Sequence, residues 1–100
     1  MGGQLMRRIE KTTRFKRAMR RVEMSGRYTR AIKDRLMPAL RCLAQDIPLD
    51  YSYYDHPLHG DMEGFRECHI KPDLLLVYRY EGDDVLWLER LGSHAELFGM

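Results

Sequence analysis

The longest apolar run in the chain is Leu74 to Tyr78, five residues. A membrane-spanning helix needs about 20 apolar residues, so this run is strand-sized. A strand that is apolar on both faces has to be covered on both. The rest of the chain must therefore fold so as to bury Leu74 to Tyr80.

Two kinds of periodicity precede and follow that run. Phe15, Ala18, Met19 and Val22 recur at helical spacing behind Thr12 or Thr13, either of which can cap a helix, and Ser25-Gly26 stops it. Tyr28, Ile32, Leu36, Leu40 and Leu43 form a second helical stripe with Pro38 inside it. Proline removes a backbone donor, which predicts a kink there or a break into two shorter helices. Two helices joined by a short glycine turn make a helical hairpin. Met6 to Glu10 fits a short edge strand.

Ile47-Pro48 ends the helical part. Tyr51 to Asp55 reads as a strand entry, and His59-Gly60-Asp61 and Lys71-Pro72-Asp73 read as turns. Gly64 to Ile70 alternates, with Arg66, Cys68 and Ile70 on one side and Phe65, Glu67 and His69 on the other. Glu81 to Asp84 is a hairpin turn, Val85 to Leu91 the returning strand, and Ala95 to Phe98 one short turn or strand. Helices followed by a strand meander predict an α+β domain, an N-terminal helical hairpin packed on a small antiparallel sheet. At 100 residues, one domain spanning 1–100 is expected.

The charge is divided along the chain. Residues 1–50 hold 13 Lys+Arg against 5 Asp+Glu, and residues 51–100 hold 4 against 10. The formal net charge of +2 is thus the sum of a half at +8 and a half at −6. A basic face attracts phosphate backbones without reading sequence. The N-terminus MGGQLMRRIEK has no apolar stretch behind its charges, so no signal peptide is expected. Two cysteines, Cys42 and Cys68, are too few for a disulfide scaffold and fit reduced thiols in a cytoplasmic protein.

All four histidines lie in the acidic half. His56, His59 and His94 fall at turns or element ends, and His69 shares a strand face with Glu67, just before Asp73. In a meander, alternate turns gather on one sheet edge, which would bring His56, Asp73 and His94 together, with Arg90 close by. Such a set suits cleavage of RNA by its own 2′-hydroxyl. That reaction needs a base for the 2′ proton, an acid for the leaving 5′ oxygen and a cation for the phosphorane charge, and imidazole serves in either proton role near neutral pH. A zinc site drawn from His56, His59, Cys68 and His94 is disfavoured. Cys68 and His69 point to opposite strand faces, and no CxxC or HxxxH pair is present. A Cys–His nucleophile is disfavoured too, because Cys68 alternates onto the apolar side.

The blocks HPLHG (56–60), GFRECHIKPD (64–73) and RLGSHAELF (90–98), in this order and spacing, resemble the YafQ branch of the RelE/ParE toxin superfamily. The resemblance implies a microbial-RNase-like α+β fold and a type II toxin, an endoribonuclease that cuts mRNA in the A site of the ribosome without a metal or other cofactor. It also implies a cognate antitoxin as partner and no membrane. Carried over by motif position, His56, His69, Asp73, Arg90 and His94 are the expected catalytic residues, with His56 as base and His94 as acid. Glu67, Phe98, Arg66 and Lys71 are the expected substrate-binding residues. Glu67 stands where many relatives have Asp. Leu74 stands where some have Trp, so it offers no ring for stacking on a base. The basic helices from Arg14 to Arg35 would contact ribosomal RNA and the antitoxin. His59 lies outside the shared pattern and reads as a surface residue. The ParE side of the superfamily offers the alternative, a toxin that binds a DNA topoisomerase and has no evident need of the histidines.

Overall fold

The computed structural model describes residues 6–99; the reading of the first five residues lies outside them. Strand β1 (Arg8–Lys11) leads into helix α1 (Thr13–Ser25). Thr12 caps α1 by accepting the Phe15 N–H at 3.0 Å, and its own hydroxyl donates to the Glu89 carbonyl at 2.8 Å. Gly26, at φ 69°, ends the helix in a left-handed conformation that a residue without Cβ adopts at no steric cost.

The second helical segment runs on past Pro38, and its α-helical pattern changes one turn earlier. Short α2 (Thr29–Ala31) runs through a π-helical stretch (Ile32–Leu36) into α3 (Met37–Ala44), with Pro38 in the first turn of α3. The Met37 N–H reaches back five residues to the Ile32 carbonyl. A widened turn of this kind lets the rod continue where proline cannot take part in an α ladder.

Tyr51–Tyr53 is a 3₁₀ turn, which corrects the expected strand entry. Asp50 is the reason. Its carboxylate accepts from the Ser52 N–H at 2.8 Å and also from the Ser52 hydroxyl, closing a local turn that competes with strand pairing. Strand β2 (His56–Pro57) is followed by a 3₁₀ turn at Gly60–Met62. Then come β3 (Arg66–Lys71), β4 (Leu74–Glu81), β5 (Val85–Gly92) and helix α4 (His94–Phe98).

The five strands form one sheet in the order β1-β5-β4-β3-β2. The meander β2 to β5 is antiparallel as expected, but β1 pairs with β5 in parallel, so the sheet is mixed. An edge strand set so early in the chain finds its partner only when the last strand is in place. Its direction is therefore fixed by tertiary packing rather than by a local turn.

One face of the sheet carries Cys68, Ile70, Leu74, Leu76, Tyr78, Leu86, Leu88 and Leu91 into the main core, where Phe15, Ala18, Leu36, Leu40 and Leu43 of the helical segments meet them. A bulge at Glu89 sets the other face. Val77 pairs with Arg90 and Tyr78 with Leu88, which leaves Glu89 as the extra residue. Leu88 and Leu91 therefore both face the helices, three positions apart. On the opposite face Leu75, Val77 and Leu97 make a smaller cluster with Leu58, Met62, Phe65 and Phe98.

Candidate active site

The histidines gather on that second face. β2 places His56 opposite Glu67 of β3, and His69 lies two residues further along β3 on the same side. His94 opens α4. There the Ser93 hydroxyl accepts the Glu96 N–H while the Glu96 carboxylate accepts the Ser93 N–H. A Cβ at position 92 would come within 2.8 Å of that carboxylate, so Gly92 leaves room for the cap that aims His94.

The ring centroids of His56 and His69 are 6.3 Å apart, and those of His69 and His94 6.2 Å. Phe98 flanks His94 at 5.7 Å. Tyr54 sits beside the first two rings, 4.9 Å from His56 and 5.3 Å from His69. The three histidines therefore form a row, with Phe98 against His94 and Tyr54 alongside the His56–His69 pair.

Glu67 sits beneath the row. It is 2% exposed, and its Oε1 lies 3.3 Å from His56 Nε2 and 3.6 Å from His69 Nε2. Its Oε2 is buried without a hydrogen-bond partner among the described residues. His56 Nδ1 donates to the Tyr54 carbonyl at 2.8 Å, because a carbonyl can only accept. In the neutral ring this leaves Nε2, the nitrogen beside Glu67, without a hydrogen.

Asp73 does come to the sheet edge that carries His94, since Leu75 pairs with Gly92, but its carboxylate takes partners outside the histidine row. Asp73 turns towards the loop after α1, where its Oδ2 accepts from the Tyr28 hydroxyl at 2.7 Å and from Arg27 at 3.1 Å. The Tyr28 hydroxyl, chiefly, holds the Asp73 carboxyl below its ordinary range, and the same hydrogen bond raises Tyr28. The two sites are joined by a groove of about 760 Å³ lined by Arg27, Arg30, Arg35, His69, Lys71 and Asp73 among others.

Arg90 lies on the histidine side of β5 and donates to the Leu97 carbonyl at 2.8 Å, tying α4 to the sheet. Arg66 faces the other way. It bonds Asp55 at 3.2 Å and the Tyr78 hydroxyl at 3.3 Å, away from the histidines. His59 is exposed and lies 3.9 Å from Glu63, a surface pair. Leu74 is buried in the main core. Burial pushes the Cys68 thiol up to about 12, which leaves no thiolate for nucleophilic chemistry.

Two residues of this region carry no sequence motif. Arg35 projects from the π-helical stretch and stacks 3.8 Å over the Tyr53 ring. It donates to the His69 and Ile70 carbonyls, each at 3.2 Å, and to the Ser52 hydroxyl at 3.0 Å. It thus pins β3 at the irregularity between His69 and Lys71. Tyr54 is 66% exposed and adopts a left-handed backbone, φ 50° and ψ 47°, which costs a bulky residue about 1–2 kcal/mol. Only its position two residues before His56 hints at it in the sequence.

Residues 7–99 match the model of a family described as bacterial toxin of type II toxin-antitoxin system, YafQ. An Escherichia coli relative named mRNA interferase toxin YafQ is 47% identical over 53 residues, which covers 53% of this chain and 56% of that protein. The stretch aligned to this relative thus spans little more than half of its length. Among solved structures, a copper-bound mutant toxin from Helicobacter pylori is similar with a TM-score of 0.84 and 39% identity, over 93% of this chain and all of that one. The Escherichia coli DinJ-YafQ toxin-antitoxin complex gives a TM-score of 0.77 and 34% identity, over 94% of this chain and 99% of that one. No group of three or more His, Cys, Asp or Glu side chains among the described residues is arranged to hold a metal.

Proposed function

Since the chain belongs to the YafQ family of bacterial type II toxin–antitoxin toxins, we propose that it is an mRNA interferase, an endoribonuclease that cuts message on the ribosome and is held inactive by a cognate antitoxin. The observation that carries this reading is the row His56–His69–His94 over the buried Glu67 carboxylate. Two imidazoles on either side of a third can serve the two ends of one phosphodiester.

His56 takes the 2′-hydroxyl proton on Nε2. Its Nδ1–H is anchored on the Tyr54 carbonyl, and Glu67 pairs with the imidazolium that results. The 2′-oxygen attacks phosphorus, His94 protonates the departing 5′-oxygen, and the products are a 2′,3′-cyclic phosphate and a free 5′-hydroxyl. His69 lies between the two rings and orients the phosphate. Arg90 and Lys71 supply cations along the strand, Phe98 a ring against the substrate, and Asp73 holds the groove wall through Tyr28 and Arg27. Each proton-transfer group is worth about 10²–10⁴ in rate, or roughly 3–5.5 kcal/mol.

The exposed basic residues Arg14, Lys16, Arg17, Arg20 and Arg21 of α1 suit ribosomal RNA and an acidic antitoxin segment alike. The sequence placed Arg66 among the substrate contacts; its pairing with Asp55 and Tyr78 supports a structural role instead.

The test is to add the purified chain to a bacterial cell-free translation reaction and map the 5′ ends of a reporter mRNA, with a parallel tube lacking ribosomes. New ends at fixed codon positions, seen only with ribosomes and lost in His94→Ala, are expected. Cleavage without ribosomes would remove the A-site mechanism but keep the nuclease. Intact mRNA in both tubes with folded protein would sink the reading and favour a toxin that binds a topoisomerase.

A further inference from the structure

We propose that Tyr54 is a nucleobase-stacking residue, its exposed ring holding a base of the RNA strand next to the scissile phosphate. The inference rests on the nuclease reading and names a substrate contact that no motif supplies. Three observations meet at this position. The ring is 66% exposed, so it buries little in the fold. It lies within 5.3 Å of both His56 and His69, centroid to centroid, alongside that pair. The backbone is left-handed at φ 50°, where asparagine or glycine is at ease and a bulky side chain is strained.

The hydrogen bond that Tyr54 gives the site comes from its carbonyl, which any residue at 54 would provide. The side chain itself is thus free for a ligand, and strained residues with exposed side chains concentrate where ligands are held. Phe98 lies against His94. A strand of RNA laid across the three imidazoles therefore passes the Tyr54 ring alongside His56 and His69 and the Phe98 ring beside His94. Leu74, being buried, provides no surface there. Stacking is sequence-tolerant but stronger for larger bases, so Tyr54 favours a purine at its side of the cut.

The experiment compares Tyr54→Phe, which keeps the ring, with Tyr54→Asn, which suits the left-handed backbone and removes the ring. Both are assayed by end mapping and cleavage rate in the translation reaction, alongside thermal unfolding. Tyr54→Phe is expected to keep the parent's cut positions and a rate within about twofold. Tyr54→Asn is expected to lose about tenfold or more where the neighbouring base is a purine, and less at pyrimidines, without a lower melting temperature. A Tyr54→Asn protein that cuts at the parent's rate and positions would overturn the inference. So would a Tyr54→Phe protein that falls as far as Tyr54→Asn, because the hydroxyl and not the ring would then be at work. A uniform loss across all codons with a lower melting temperature would overturn it in favour of a role in the fold. If the parent leaves mRNA intact, the nuclease reading falls, and this inference with it.

Discussion

On the helix-covered face of the sheet, Cys68, Ile70, Leu76, Leu86 and Leu88 are closed off from solvent against two helical segments. The same strands carry Glu67, His69 and Arg90 on the other face, beside a far smaller apolar cluster around Leu75, Val77 and Leu97. The first face follows the ordinary rule that apolar side chains fill an interior. The second departs from it, burying a carboxylate with one oxygen unpartnered and leaving three imidazoles at the rim. A buried carboxylate costs free energy unless cations answer it. Here the nearest groups to it are the His56 and His69 rings. The comparison teaches that the main apolar packing lies on one face, while the other combines a smaller apolar cluster with the titratable side chains.

The largest effect should separate the two faces outright. His94→Ala is expected to lower cleavage by about 10²–10⁴-fold while moving the unfolding free energy by under about 0.5 kcal/mol. Leu88→Ala should cost about 2–5 kcal/mol, read as a lower urea midpoint. If His94→Ala unfolds as readily as Leu88→Ala, the division between the faces is lost.

Glu67→Leu sharpens the comparison at the point of contact. Removing a buried carboxylate with an orphan oxygen should leave stability unchanged or raise it by about 1 kcal/mol, while cleavage falls. Denaturation of the variant would decide this. A loss above about 2 kcal/mol would mean that the two histidine contacts more than repay the burial of the charge.

The smallest effect concerns Asp73, on the far wall of the groove. Its carboxyl is held below the ordinary aspartate range, first by the Tyr28 hydroxyl. A lowered pKa in the folded state adds stability above the unfolded value and loses it as pH falls through the folded one. Tyr28→Phe should therefore raise the Asp73 midpoint towards 3.8, with parent and variant differing at neutral pH and converging in strong acid. An NMR titration of the Asp73 carboxyl carbon that shows no rise would contradict the assignment.

Much of this was legible before any coordinates. Periodicity located α1, β3, β4 and β5, because burial on one face imposes a repeat that a string of residues displays. The HPL, HIKPD and RLGSH blocks named His56, His69 and His94, and these three do come together. Local chemistry also went unread: the Asp50–Ser52 turn overrode the aromatic pattern at Tyr51 to Asp55.

Other features belong to the tertiary structure alone. The parallel pairing of β1 with β5 joins the two ends of the described chain, and no local signal encodes a partner so distant. The bulge at Glu89 decides that Arg90 shares the sheet face of Val77, and it is one residue in a ladder that otherwise alternates. Asp73 bonds Tyr28, and Arg35 reaches β3 from a π-helical stretch, through contacts separated by 45 and 34 residues. The sequence determined which side chains face an interior and which bear protons, since periodicity and residue chemistry are local properties. Which of them touch was left to packing, because that depends on segments far apart in the chain arriving at the same place.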